Sequence, residues 1–398
     1  LRGLERQEEK FQKQMSAPAP EAHREQQQRA IKAKLNVISR STNEFEELGV
    51  LGEGSYGKVY LVRRRGGQAP DEPAYFALKQ MRKDKYEKFE KNRMHPFSER
   101  DVMAQARSRW ILHLYATFHD REHLYMLTEL LEGGDFIDHM IKKERLSTEE
   151  ARFYMAELLV ALDTLHRSGV VHRDVKPDNM ALGSSGHLKL LDFGLAKCPQ
   201  LRQEDEPVPV LGGKALPPQS PSKGSERERL RSRVGTPLYW APEVWKACYG
   251  KEADIWAVGV ITFECLAGRV PFYKEVPDGS GRLDFHRLKE YVSLKREEVL
   301  HRRFEREKEV FDKAVPAKTF IKRVLTTVDK RLDFLGCRKD PFFFSLDFER
   351  LQDMKAPIQP GPIDFSAMTE PHSLPEAEPW YDKDPLLQWD GYDYERDS

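Results

Sequence analysis

Two short stretches carry residues suited to moving a phosphoryl group: His172-Arg173-Asp174-Val175-Lys176-Pro177-Asp178-Asn179 and, downstream of it, Asp192-Phe193-Gly194. Phosphoryl transfer asks little covalent help of a protein. It asks for a carboxylate to orient the attacking hydroxyl, cations to offset charge, and oxygen ligands for metal ions. Asp174 is placed to accept the hydroxyl proton, Lys176 to neutralise a γ-phosphate, and Asn179 and Asp192 to ligate Mg²⁺ through oxygen. Upstream, Tyr75-Phe76-Ala77-Leu78-Lys79 sets an ammonium among apolar strand residues. That is costly unless anions such as the α- and β-phosphates of ATP receive it. Glu99 in Ser98-Glu99-Arg100-Asp101 is the natural carboxylate to hold this lysine, with Glu87 and Glu90 as competitors on spacing.

Earlier still lies Gly52-Glu53-Gly54-Ser55-Tyr56-Gly57-Lys58-Val59, whose glycines let backbone amides approach phosphate oxygens. A GxGxxG also marks dinucleotide-binding folds, but there the last glycine opens a helix. Here Lys58 to Arg63 reads as a strand, which favours a flap over a nucleotide. Each motif alone has a bland reading as a turn or a solvated loop; all of them together, in this order, do not.

The elements that must position these residues are read from composition and period. Phe45 to Arg63 reads as two strands around the Gly cluster, Tyr75 to Met81 as a third, and Leu112 to Leu131 as a further pair. From Leu146 to His166 the apolar residues take helical spacing, and helices dominate most of the chain beyond it. Residues 199 to 231, dense in Pro, Gly, Ser and charge, read as an insertion too polar to bury a core. After about Asp340 helical periodicity fades into a Pro-containing tail. At the other end, residues 1 to 40 read as two helical segments joined by a Pro break. The second carries Arg24, Arg29, Lys32 and Lys34 beside a thin apolar edge, which suits either partner docking or a solvated extension.

With 398 residues the chain is long enough for a sizeable core, and 65 Lys and Arg balance 65 Asp and Glu, so bulk attraction to nucleic acid or membrane is not expected. Four scattered cysteines without CxxC or metal-ligand spacing suit a reducing compartment, the cytosol or nucleus. The longest apolar run, Ile255 to Val270, is interrupted by Glu264 and Arg269, and no secretory segment is evident, so no membrane span is expected. A chain opening at Leu1 without methionine reads as a piece of a longer protein.

The catalytic motifs resemble those of eukaryotic protein kinases from about Phe45 to Phe344, and Lys176 follows the serine/threonine pattern. The resemblance implies an α+β bilobal fold, a small strand-rich lobe over residues 41–132 and a helical lobe over 133–344, with ATP and Mg²⁺ in the cleft. It places Leu51, Val59 and Ala77 at the adenine, Thr128 at the back of the pocket, and Glu129 to Leu131 as the hinge. It also implies that Asp254 supports the catalytic loop and that Glu243 pairs with Arg331. Leu191 before Asp192 and Ala181 after Met180 depart from the family pattern, which predicts a roomier floor beneath the nucleotide.

Glu132-Gly133-Gly134-Asp135-Phe136, Val234-Gly235-Thr236-Pro237 and Pro341-Phe342-Phe343-Phe344 leading into a long tail resemble the AGC kinases. The stretch from Ser98 to Trp110, the insertion before Ser232 and the basic extension look like the NDR/LATS branch, especially its fungal mitotic-exit and septation members. That resemblance implies a Mob-type coactivator on residues 1–40, an upstream kinase acting on Ser232, and a tail over 345–398 ending in a hydrophobic motif. The motif is Trp389, Tyr392, Asp393 and Tyr394, with Asp393 as an acidic mimic where relatives carry a phosphorylatable threonine. Asp135 and Asp178 are expected to prefer arginine in the substrate, N-terminal to the acceptor. The competing reading is a pseudokinase scaffold, yet such proteins usually lack Lys79, Asp174 or Asp192, all present here. A dinucleotide oxidoreductase is a distant third.

Overall fold

A computed structural model describes residues 41–54, 57–66, 73–87, 96–106, 108–197, 230, 232–273, 283–361, 392 and 394–395. The basic residues Arg24, Arg29, Lys32 and Lys34, the tail residues Trp389 and Asp393, and almost all of 199–231 lie outside them.

Among the described residues, the first part is a sheet with two α-helices. Strands β1 (Phe45–Gly54), β2 (Gly57–Arg64) and β3 (Phe76–Arg82) precede α1 (Lys83–Glu87) and α2 (Pro96–Gln105), and β4 (Leu114–His119) and β5 (His123–Glu129) complete the run. All neighbours are antiparallel, in the order β1-β2-β3-β5-β4, and β8 (Tyr394–Glu395) adds to the free edge of β4. Alternation puts Phe76 and Leu78 of β3 into one apolar layer with Phe45, Phe118 and Tyr125, while Ala77 and Lys79 face the other way. The register sets Val59 opposite Lys79 and Ala77 opposite Thr128. Gly57 has a structural duty as well, because a Cβ there would meet the Gln80 carbonyl oxygen of β3 at 1.7 Å.

The second part is helical. It runs α3 (Phe136–Lys143), α4 (Thr148–Arg167), the hairpin β6 (Met180–Leu182) and β7 (Leu188–Leu190), α5 (Pro242–Trp245), α6 (Glu252–Ala267), α7 (Phe285–Ser293), α8 (Arg296–Arg306), α9 (Lys308–Phe311), α10 (Val315–Val324) and α11 (Phe334–Arg338). A capping box at Ser147 and Glu150 starts α4 by satisfying its orphan N–H groups. Helix α6 accounts for the apolar run of the sequence. It is buried nearly all round, and such a helix belongs at the centre of a core. Gly259 lets α10 approach it, since a Cβ would come within 2.8 Å of the Val324 side chain. No helix among the described residues is long and apolar enough to cross a membrane.

The buried Arg331 side chain joins Glu243, through Nη1 to Oε1 and through Nη2 to Oε2 at 3.1 Å, and also donates to the Glu252 carbonyl at 2.7 Å. This ties α5 to the start of α6. Removing one partner strands the other charge away from water, so Arg331→Leu is expected to cost about 3 kcal/mol, read as a lower urea midpoint for the helical lobe.

Candidate active site

The loop between α4 and β6 carries His172 to Asn179 and is held from below. Asp254, in the first turn of α6, accepts the backbone N–H of His172 through Oδ2 and that of Arg173 through Oδ1, both at 2.9 Å, and pairs with His166 Nε2 at 2.8 Å. Burial works against its ionisation, but His166, His172 and the Arg173 amide outweigh it and hold its pKa low. Arg173 sits at φ 72°, a left-handed conformation that a non-glycine residue keeps only when its surroundings demand it.

Asp174 is buried at the centre of the group. Its Oδ1 accepts from the Thr236 amide at 2.7 Å and the Thr236 hydroxyl at 2.8 Å, and its Oδ2 lies 3.0 Å from Lys176 Nζ. Asn179 Nδ2 donates to the Asp174 carbonyl at 2.8 Å and to Oδ2 at 3.1 Å. Burial opposes the charge on Asp174, yet Lys176 and Thr236 prevail and keep its pKa below the ordinary carboxylate value. Lys176 also donates to Thr236 Oγ1 at 2.9 Å. Sequence reasoning misses Thr236 as a site residue, although the Val234-Gly235-Thr236-Pro237 motif contains it. Gly235 has φ 94°, and a Cβ there would come 2.3 Å from the Arg173 carbonyl oxygen, so only glycine lets this segment lie on the loop.

Across the cleft, Lys79 Nζ donates to Glu99 Oε1 at 2.7 Å, joining β3 to α2. Of the candidate partners, Glu99 is the one engaged; Glu87 ends α1, and Glu90 lies outside the described residues. Burial disfavours the Lys79 charge, but Glu99 and Asp192 raise its pKa, so it stays an ammonium. Asp192 adopts φ 55° and accepts the Gly194 amide through Oδ1 at 3.2 Å. Phe193 is buried, edge-on to His172, whose Nε2 bonds the Leu191 carbonyl at 3.0 Å. At the other wall Gly52 and Gly54 face open space, Leu51 is exposed, and Thr128 is buried with Oγ1 3.4 Å from the Ala77 carbonyl. Glu129 is not free at the hinge: it takes the His113 amide at 2.7 Å and Lys189 at 2.6 Å. Ala181 is buried in β6, and Leu131 is partly exposed ahead of α3.

The donor set fits a hard cation. Asn179 uses its amide nitrogen in its bonds to Asp174 and Asp192 one carboxylate oxygen, and both can offer oxygen to a metal whose other ligands come from phosphate and water. No group of three or more His, Cys, Asp or Glu side chains suited to a metal alone occurs among the described residues.

Three further features surround this centre. Arg173 Nη1 donates to Ser232 Oγ at 2.8 Å. Tyr392 is fully buried beside α2, 5.6 Å edge-on from Phe97, with Arg100 5.9 Å over its ring and its carbonyl accepting from Thr117. Tyr394 pairs with Thr117 in the sheet. Asp135 precedes α3 without capping it, and the surrounding protein, Asp138 and Asp178 raise its pKa. Glu264, which sequence reasoning also misses as a site residue, joins this acidic rim. Burial, against a 2.9 Å hydrogen bond from Tyr239, and repulsion from Asp178 push it up to about 7. The signal was there: a lone carboxylate interrupting an apolar run.

A protein kinase domain match covers residues 45–343. The chain is 32% identical to the serine/threonine-protein kinase tricornered of Drosophila pseudoobscura pseudoobscura over 86% of this chain and 74% of that protein. It is 32% identical to a probable serine/threonine-protein kinase ndrB of Dictyostelium discoideum, over 87% of this chain and 66% of that one. It is 31% identical to the serine/threonine-protein kinase CBK1 of Yarrowia lipolytica, over 87% of this chain and 60% of that one.

Asp254→Ala is expected to leave the His172 and Arg173 amides buried without an acceptor, at about 2 kcal/mol. Their hydrogen exchange should rise by an order of magnitude or more while that of β3 is unchanged. Because the pKa of Asp254 is depressed, its contribution is present above the ordinary value of 3.8 and is lost as pH falls through the folded-state value, so the two proteins should converge in strong acid.

Proposed function

The chain belongs to the protein kinase family, as a serine/threonine kinase of the NDR type, and from that premise we propose how its own residues work and are controlled. The observation that carries the reading is the convergence on one cleft of an ion-paired Lys79 and an Asp174 kept ionised. ATP with a divalent cation, Mg²⁺ in this proposal, supplies the transferable phosphoryl group. Lys79, steadied by Glu99, holds the α- and β-phosphates; Gly52 and Gly54 leave backbone room above them; Asn179 and Asp192 offer the metal its protein oxygens. Leu51, Val59, Ala77 and Thr128 enclose the base, and the backbone from Glu129 to Leu131 fixes its edge. Asp174 orients the serine or threonine hydroxyl and takes its proton, while Lys176 offsets charge on the transferred group.

The acidic rim of Asp135, Asp178 and Glu264 selects arginine N-terminal to the acceptor. Phosphorylation of Ser232 by an upstream kinase places about −1.5 to −2 charge on Arg173, beside the catalytic carboxylate, and orders the segment that brings Thr236 to Asp174. Tyr392 couples the tail to α2 and so to Glu99, and Tyr394 carries the tail onto β4. The basic residues Arg24, Arg29, Lys32 and Lys34 suit the acidic face of a Mob-type coactivator, in the cytosol, nucleus or at division structures. The chain spans 60 to 74% of these relatives' lengths, and substrates and partners belong to this proposal.

Peptide phosphorylation should be lost in Asp174→Ala; equal turnover in both proteins would leave only a scaffold. Deleting residues 1–40 should abolish stimulation by a Mob protein, measured as kcat/KM. Glu264 gains a proton as pH falls through about 7, weakening its hold on a guanidinium. KM for an arginine peptide should therefore rise about tenfold from pH 8 to 6, while a peptide with alanine there shows little change. Glu264→Gln should flatten the profile.

A further inference from the structure

The helical lobe carries a second charged feature that takes no part in the catalytic site. Glu307, between α8 and α9, is buried, and three guanidiniums converge on it: Arg145 at 2.9 Å, Arg269 at 3.5 Å and Arg306 at 3.9 Å. A fourth, Arg303, donates to the carbonyls of Pro271 at 3.0 Å and Tyr273 at 3.2 Å. Burial and the nearby charges of Arg306, Arg269 and Arg302 depress the Arg303 pKa. Arg302 has its own partner in Glu298 at 3.4 Å, whereas among the described residues three guanidiniums meet on the Glu307 carboxylate and Arg303 adds its charge beside them. Like charges crowded at a partly buried surface repel, and a bound anion relieves that repulsion. The Arg145, Arg269 and Arg306 side chains reach solvent, with exposures of 42%, 43% and 61%.

The fold builds this cluster next to the acidic rim. Helix α3 starts beside Asp135 and ends just before Arg145, and the turn after it is clamped to the end of α6 by a 2.7 Å bond from the Leu146 amide to the Cys265 carbonyl. Gly268, at φ 70°, allows that contact, because a Cβ would come 2.5 Å from the Glu144 carbonyl oxygen. Glu264 of the rim and Arg269 of the cluster thus flank one helix end. The eight residues of α3 span about 12 Å, a distance that an extended peptide covers in about four residues.

We propose that Arg145, Arg269 and Arg306, reinforced by the charge of Arg303, form a docking site for a phosphorylated side chain of the protein substrate, about four residues beyond the arginine held at the acidic rim. The inference rests on the arginine-directed reading of that rim. A phosphate suits the site better than a carboxylate, because it brings about −1.5 to −2 charge and three acceptor oxygens to several guanidinium forks. The kinase then acts after another kinase, on substrates already phosphorylated N-terminal to its own site.

The test uses peptides sharing one arginine and one acceptor serine, with phosphoserine or serine placed three to six residues further N-terminal. KM should fall about tenfold for the phosphopeptide at one spacing, with kcat unchanged. The double variant Arg145→Gln with Arg269→Gln should erase the difference and leave the unphosphorylated peptide as before; Arg306→Gln, at the most exposed of the three, serves if the double variant does not fold. Equal KM at every spacing in the unaltered protein, or an advantage that survives both variants, overturns the proposal. Binding to phosphatidylserine vesicles that the variants abolish, with no phosphopeptide advantage, overturns it in favour of a lipid surface. Anisotropy of a labelled phosphopeptide reads docking apart from turnover. A phosphopeptide that docks and is phosphorylated as well with alanine in place of its arginine refutes the arginine-directed reading and spares the phosphate site; an arginine preference in turnover without phosphopeptide docking does the reverse.

Discussion

One buried carboxylate holds the catalytic loop. Asp254 rises from the central apolar helix and receives two consecutive backbone amides, His172 and Arg173, together with an imidazole. An ionised group in such a place is tolerated only because every bond it needs is made there. In return it holds Arg173 in a left-handed conformation from which Asp174 reaches Thr236, Lys176 and Asn179. The order of dependence is therefore core first and chemistry second: α6 must be packed before its carboxylate can organise the loop above it.

The small lobe solves a different problem, that of keeping an ammonium in an otherwise apolar cleft. Lys79 is held by Glu99 from a helix that packs on β4, the strand to which β8 adds. Tyr392 packs on the same helix through Phe97 and Arg100, so tail, helix and lysine form one mechanical series. Local opening of such a short helix costs little unless something covers it, which makes it a natural place for control. The insertion side mirrors this, since Arg173 spans from the catalytic loop to Ser232.

Charge in the helical lobe is segregated although the chain as a whole is neutral. Asp135 and Asp178 lie by the start of α3, and Glu264 near Asp178 at the end of α6, while Arg145, Arg269 and Arg306 gather around Glu307 with Arg303 beside them. Burial first, and repulsion within each cluster after it, raises the pKa values of Asp135 and Glu264 and lowers that of Arg303.

Much of this was legible in the residues. The order of strands and helices came from period, and Lys79, Glu99, Asp174, Lys176, Asn179 and Asp192 came from motifs, because phosphate chemistry demands particular groups at particular backbone turns. Spacing left Glu87 and Glu90 beside Glu99 as partners of Lys79, and only the packing of α2 on the sheet chose among the described ones. Thr236 and the arginine cluster were not legible as sites, nor was the β8 pairing with β4, and Glu264 showed only as a carboxylate interrupting an apolar run. Each depends on segments far apart in the chain, and what brings them together is burial of apolar surface that belongs to other residues. Sequence by itself determined which chemical groups exist and on what local elements they ride. Tertiary structure decided which of them meet, because a charge's neighbours are set by how helices and sheet pack, not by its distance along the chain.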